Sequence, residues 1–81
     1  MNVREATCKR IRELCTQKRI TEYMLIYKSG IPPSTFKSIM NGQSKNPGIT
    51  NIKRIADGFG VSIREFYDSD MFDDLEQEDE D

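Results

Sequence analysis

The chain has 81 residues, 36% of them hydrophobic, with 12 Lys and Arg, 14 Asp and Glu, two Cys and no His or Trp. This is one small domain, near the lower size at which a core holds without staples, and a compact helical bundle is the economical solution. No apolar run approaches a membrane span, and charge interrupts every apolar pair from Met1 to Arg19, so neither an anchor nor a secretion signal is expected and the expected location is the cytoplasm.

The near-neutral total conceals a segregation. Residues 1 to 67 hold all twelve bases against five acids, a surplus of seven positive charges, whereas residues 68 to 81 hold nine acids and no base. A basic globule with an acidic tail behaves differently from a mildly acidic protein.

A first helix is expected over residues 3–18, where Ile11, Leu14 and Cys15 repeat at helical spacing with Cys8 one turn earlier, and Arg4, Lys9, Arg10, Arg12 and Lys18 take the other faces. Cys8 and Cys15 lie on this one helix with Cα atoms roughly 10 Å apart, beyond the reach of a disulfide. With two thiols and no histidine a metal site is not expected either, and both cysteines read as small buried apolar residues in a reducing compartment.

Thr21 is placed to cap a second helix of about two turns, with Ile20 and Leu25 as its hydrophobic staple and Ser29-Gly30 as its end. Tyr23 and Tyr27 on this helix read either as a pair packing across it or as an aromatic patch for a protein partner. The connection Gly30-Ile31-Pro32 is only a few residues long, and two short helices joined so tightly have the form of a helix-turn-helix.

The third helix is expected over 33–41. A proline pair presets its first turn, Gly42 stops it, and Phe36, Ile39 and Met40 form its apolar face. Ser34, Lys37, Ser38 and Asn41 fall on the opposite face. Short hydroxyl and amide groups can bond base edges and phosphates without keeping a helix out of a major groove, but the same face suits plain solvent exposure, and this helix alone does not separate the two.

After a polar loop with turn chemistry at Asn46-Pro47-Gly48, Ile52, Ile55, Ala56 and Phe59 mark a fourth helix from about Ile49 to Gly58, with Gly58 and Gly60 bracketing its end. Ser62 and Glu65 make a capping box, stapled by Val61 and Phe66, that opens a short fifth helix. Tyr67 is expected to close the core. From residue 71 the chain reads as an acidic tail, disordered because residues 73–81 hold one leucine among acids and a glutamine, although Phe72 has the spacing to dock one more turn.

The residues Arg10-Ile11-Arg12-Glu13-Leu14, Thr21 with Leu25, Gly30-Ile31, Ser34-Thr35-Phe36, Ile39, Asn41-Gly42, Asn46-Pro47, Ile52, Ile55-Ala56 and Gly60-Val61-Ser62 resemble, in order and spacing, the phage repressor and Cro type of helix-turn-helix, the XRE family. The resemblance covers residues 3 to about 68. It implies an all-α five-helix bundle over residues 1–70 that lays its third helix in the major groove of double-stranded DNA. It places Pro33, Ser34, Thr35, Lys37 and Ser38 where the family reads bases or adjoining backbone. Asn41, Ser44, Lys45 and Asn46 fall where it grips phosphates, and Thr50 and Asn51 sit where a helix start offers N–H groups to a phosphate. In two respects the chain departs from the family. Glu22 stands where a phosphate-contacting glutamine is common, and Pro33 and Ser34 replace long amides, so readout is expected to lean on Thr35, Lys37, Ser38 and DNA shape.

The expected function is a DNA-binding transcriptional regulator, a repressor, working as a homodimer through the fifth helix and Phe72. The alternative is a protein-binding helical module such as an antitoxin or accessory factor. Catalysis is not expected, because histidine is absent, the cysteines lie on a core face and the acids are mostly in the tail. No cofactor is implied. The tail itself has three readings: a solubilising segment, an internal competitor for DNA lying over Lys37 and Lys45, or a dock for a basic protein.

Overall fold

The computed structural model describes residues 1–43 and 47–76. Over these residues the chain is all-helical: α1 Val3–Lys18, α2 Glu22–Ser29, α3 Pro33–Met40, α4 Ile49–Phe59 and α5 Ile63–Phe66, followed by a 3-10 turn, η1, at Asp70–Phe72. The helices bury one core of Ile11, Leu14, Leu25, Ile31, Phe36, Ile39, Ile52, Ile55, Ala56, Phe59, Val61 and Phe66. Each helix contributes its apolar stripe, and the inter-helix residues Ile31 and Val61 plug the corners.

Local capping sets most of the boundaries. Thr21 accepts from the Met24 N–H, and Ser62 and Glu65 close the expected capping box on α5. The same device opens α1, where Asn2 and Glu5 satisfy each other's backbone N–H groups. The turn between α2 and α3 is built from Gly30, at φ 72°, whose N–H bonds the Ile26 carbonyl, and from buried Ser29, whose hydroxyl donates to that same carbonyl and accepts from the Ile31 N–H. Only a residue tolerant of left-handed backbone turns the chain so sharply at low cost. α1 ends without such a glycine, on Arg19 at φ 55°.

Gly58 is not a stop signal. It lies inside α4, which runs on to Phe59 and is capped by left-handed Gly60. A Cβ at Gly58 would meet Leu25 Cδ1 at 3.0 Å and the Ser29 backbone nitrogen at 3.3 Å, so this glycine is what lets α4 lie against the end of α2. Close backbone approach of this kind is paid for in helix propensity by about 1 kcal/mol.

Three side chains of α1 donate to carbonyls at the C-terminal ends of other helices. Arg10, expected on an outer face, is buried instead: its Nε donates to the Phe66 carbonyl at 2.6 Å and its Nη2 to the Glu65 carbonyl at 2.8 Å, while Nη1 pairs with Glu13. α5 is a single turn, and its last carbonyls have no helical partners of their own. The guanidinium supplies them, its charge balanced by Glu13. Similarly, the Cys8 thiol donates to the Ile39 carbonyl at 3.0 Å, and Arg4 Nη1 donates to the Gly42 carbonyl at 2.8 Å, at the C-terminal end of α3. Cys8 is buried as expected but also works as a donor, whereas Cys15 is only half-buried; both are free thiols.

The expected boundary at residue 70 falls inside η1. Phe72 packs on the core, edge-on to Tyr67 at 4.9 Å and tilted to Phe66 at 6.4 Å, and Glu76 forms an isolated parallel bridge with Asn2. The outermost part of the tail, residues 77–81, lies outside the described residues.

Arg10→Met should lower stability to urea by about 2 kcal/mol, because it strands the buried Phe66 carbonyl and leaves the Glu65 carbonyl with the Asp68 N–H alone. Arg10→Lys should recover little of it, since an ammonium lacks the planar fork. Burial pushes the Cys8 and Cys15 thiols up, against the pull of Arg12 and Arg4 on Cys8 and with the help of Glu22 at Cys15. Their reaction with a disulfide reagent should therefore set in at higher pH in the native protein than in urea. A raised thiol contributes stability that is complete below the unfolded thiol's titration and is lost as pH rises through the folded one, so urea resistance should fall on the alkaline side.

Candidate nucleic-acid interface

α3 presents one apolar and one polar face, as its pattern requires. Phe36 and Ile39 are buried and Met40 half-buried, while Pro33, Ser34 and Lys37 are exposed and Thr35 and Ser38 half-buried. The side chains of Ser34, Thr35, Lys37 and Ser38 have no hydrogen-bond or ion partner among the described residues.

The flanking groups are more mixed. Asn41 is exposed and accepts from the Gln43 N–H at 3.2 Å, which folds the start of the following loop. Thr50 is exposed. The Asn51 amide donates to the Pro47 carbonyl at 2.9 Å, so that side chain braces the loop and only its backbone N–H remains to be offered at the helix start. Ser44, Lys45 and Asn46 lie outside the described residues.

Helix starts divide into two kinds. α1, α2, α5 and η1 are each capped by a side chain, from Asn2, Thr21, Ser62 and Ser69, but α3 begins on Pro32 and α4 on Gly48 with no side-chain cap at all. First-turn N–H groups without a cap, at the positive end of the helix dipole, are the backbone's own anion-binding chemistry. The uncapped starts are those carrying Pro33, Ser34, Thr35, Thr50 and Asn51. Composition alone does not reveal this contrast, although Pro32-Pro33 and Gly48 are its sequence signature.

A groove of about 520 Å³ runs beside α3, with Arg12 of α1, Tyr23 of α2, and Lys37 and Asn41 around it and Phe36 and Met40 as its apolar floor. Arg12 was a polar-face residue in the sequence pattern; only the packing of α1 against α3 brings it next to Lys37. Glu22 occupies the first turn of α2, exposed, where its charge suits the helix dipole. Tyr23 and Tyr27 do not pack across their helix: they are 77% and 79% exposed, on the side of α2 away from buried Leu25. Phe72, expected both to dock on the bundle and to lie at a dimer surface, packs on Phe66 and Tyr67 of the same chain and stays half-exposed.

No cluster of metal-ligating side chains occurs among the described residues, and no described helix is long and apolar enough to cross a membrane. Searches against curated proteins and against solved structures gave no significant match. A family model does match, that of the Cro/C1-type HTH DNA-binding domain, over residues 10–69. This interval begins at the arginine that clamps α5, takes in all of α2 to α5 and closes just before η1. With that match spanning most of an all-helical chain, the protein belongs to the Cro/C1-type helix-turn-helix DNA-binding domain family.

Proposed function

We propose that this protein is a sequence-specific, DNA-binding transcriptional regulator that lays α3 in the major groove and represses by occupying its site. The observation that carries the reading is the pair of uncapped helix starts, at Pro33 and Ile49, flanking the unpartnered hydroxyl and lysine face of α3. In this arrangement Pro33, Ser34, Thr35, Lys37 and Ser38 meet base edges or adjoining backbone. Asn41, Ser44, Lys45 and Asn46 hold phosphate, as do the first-turn N–H groups at Thr50 and Asn51. Hydroxyls and one lysine have short reach, so part of the discrimination rests on groove shape. Two copies on a two-fold site supply the affinity one small domain lacks, meeting through the face of α5, where Ile63 is half-buried.

A second reading has its own support. Tyr23 and Tyr27 form an exposed aromatic pair on a helix, the composition favoured at protein interfaces, and a module that holds another protein through them, such as an antitoxin or accessory factor, fits that feature.

Selection of duplexes from a random pool tests the first reading and should return related half-sites repeated about a two-fold axis. On the selected duplex, Lys37→Ala and Ser38→Ala should blunt discrimination between related sites, whereas Lys45→Ala should weaken all sites alike and lower the salt slope by about one. Equal losses on every duplex from the α3 pair would refute their role as readers. If about five phosphates are neutralised, log affinity falls with log salt at a slope near −0.9 for each. Binding of a protein partner that collapses on Tyr23→Ala and Tyr27→Ala but is nearly indifferent to salt would establish the second reading instead.

A further inference from the structure

The groove beside α3, of about 520 Å³, draws on three helices: Arg12 comes from α1, Glu22, Tyr23 and Ile26 from α2, and Lys37 and Met40 from α3. Its volume lies within the roughly 300–1,000 Å³ of sites that take one small molecule, and such sites pair an apolar lining with a few convergent polar groups. This groove has that make-up. Ile26 and Met40 are half-buried, and the Tyr23 ring, 77% exposed, is open to stacking by a flat neighbour.

Three charges stand around the apolar lining. Arg12 and Lys37 are exposed, and neither side chain has a hydrogen-bond or ion partner among the described residues. Glu22, also exposed, is the acid of the lining, so two cations against one acid leave a single surplus positive charge. A dianion would set its second charge against Glu22, a cation would face Arg12 and Lys37, and a neutral molecule would leave both of them unpaired. Charge and lining therefore agree on one chemistry, a flat aromatic body carrying one carboxylate.

We infer that this groove binds a small aromatic monocarboxylate and that its occupation releases the protein from DNA. The Arg12 guanidinium holds the carboxylate through paired N–H donors, the Lys37 ammonium approaches it from α3, and the ring lies over Ile26 and Met40 against Tyr23. The release rests on the function proposed above. Lys37 stands there among the base readers, so a carboxylate held beside it brings negative charge to the surface on which the DNA polyanion must sit. Ligand and duplex are then mutually exclusive. With nine molecules of ten occupied by ligand, apparent affinity for a duplex falls about tenfold.

The test titrates the full chain with benzoate, cinnamate and naphthoate and follows its amide spectrum. At least one of the three should saturate shifts at Arg12, Tyr23, Lys37 and Asn41, which all line the groove. The carboxamide of the same ring should bind about tenfold more weakly, as should the acid itself to Arg12→Gln, because each change removes a charge-assisted hydrogen bond. Tyr23→Ala should cost about fivefold through lost stacking. At saturation the acid should weaken duplex binding about tenfold or more, and the carboxamide at equal concentration should not. No saturable shift at these residues with any of the three acids would overturn the site. Equal binding of acid and carboxamide would overturn the charge assignment, and saturation with duplex affinity unchanged would overturn the release. A preparation that binds no duplex even without ligand sinks the DNA-binding reading and the release with it, while the spectra still decide whether the groove takes the acid.

Discussion

The fold depends on α1 serving as a donor rod for helices too short to stand alone. α2 and α3 have eight residues each and α5 four, well below the length at which an isolated helix is stable in water. Their apolar stripes supply the driving force, but burial also strands backbone carbonyls at helix ends, and each such group costs as much as a lost hydrogen bond. Arg10 answers two of them on α5, Cys8 answers one on α3, and Arg4 answers the carbonyl of Gly42 just beyond it. Because the three donors sit within two turns of one helix, they fix where α3 and α5 end relative to each other. The position of the proposed DNA-facing helix is thereby tied to the far side of the domain.

The treatment of helix starts is the complement of this treatment of helix ends. α1, α2 and α5 each start under a side-chain cap, whereas α3 and α4 start on Pro32-Pro33 and Gly48 with none. Pro33 lacks an N–H that would otherwise be an orphan, and Gly48, at φ 79°, brings the chain into α4 through backbone that a side chain would resist. In the proposed function these starts, with Lys37 and the uncharged hydroxyls of α3, meet a polyanion with regularly spaced acceptors.

Much of this was legible locally. The start of α5 is written in Ser62 and Glu65, the start of α2 in Thr21 with Ile20 and Leu25, and the tight turn in Ser29-Gly30, because capping and turn chemistry act within four residues. Phe72 likewise docks where its spacing from Phe66 and Tyr67 suggests. The misreadings share a cause: each turns on a partner far along the chain. Arg10 looked like one of several surface cations, since nothing near it reveals the open carbonyls 55 and 56 residues away. Gly58 looked like a helix end because its partner, the backbone of Ser29, belongs to another helix. Tyr23 and Tyr27 are exposed because Leu25 and Ser29 take the inward face, a choice settled by how α2 meets α4.

By itself, then, the sequence determined the number, order and approximate limits of the helices, the segregation of positive from negative charge, and the polar character of one face of α3. These follow from periodicity, capping and composition, which act over a few residues. The tertiary structure decided that Arg10 is a buried donor, that Arg12 and Lys37 line one groove, and that Glu76 is bridged back to Asn2. Those outcomes depend on satisfying buried polar groups across the whole domain, and a hydrogen bond between residues 10 and 66 has no local signature.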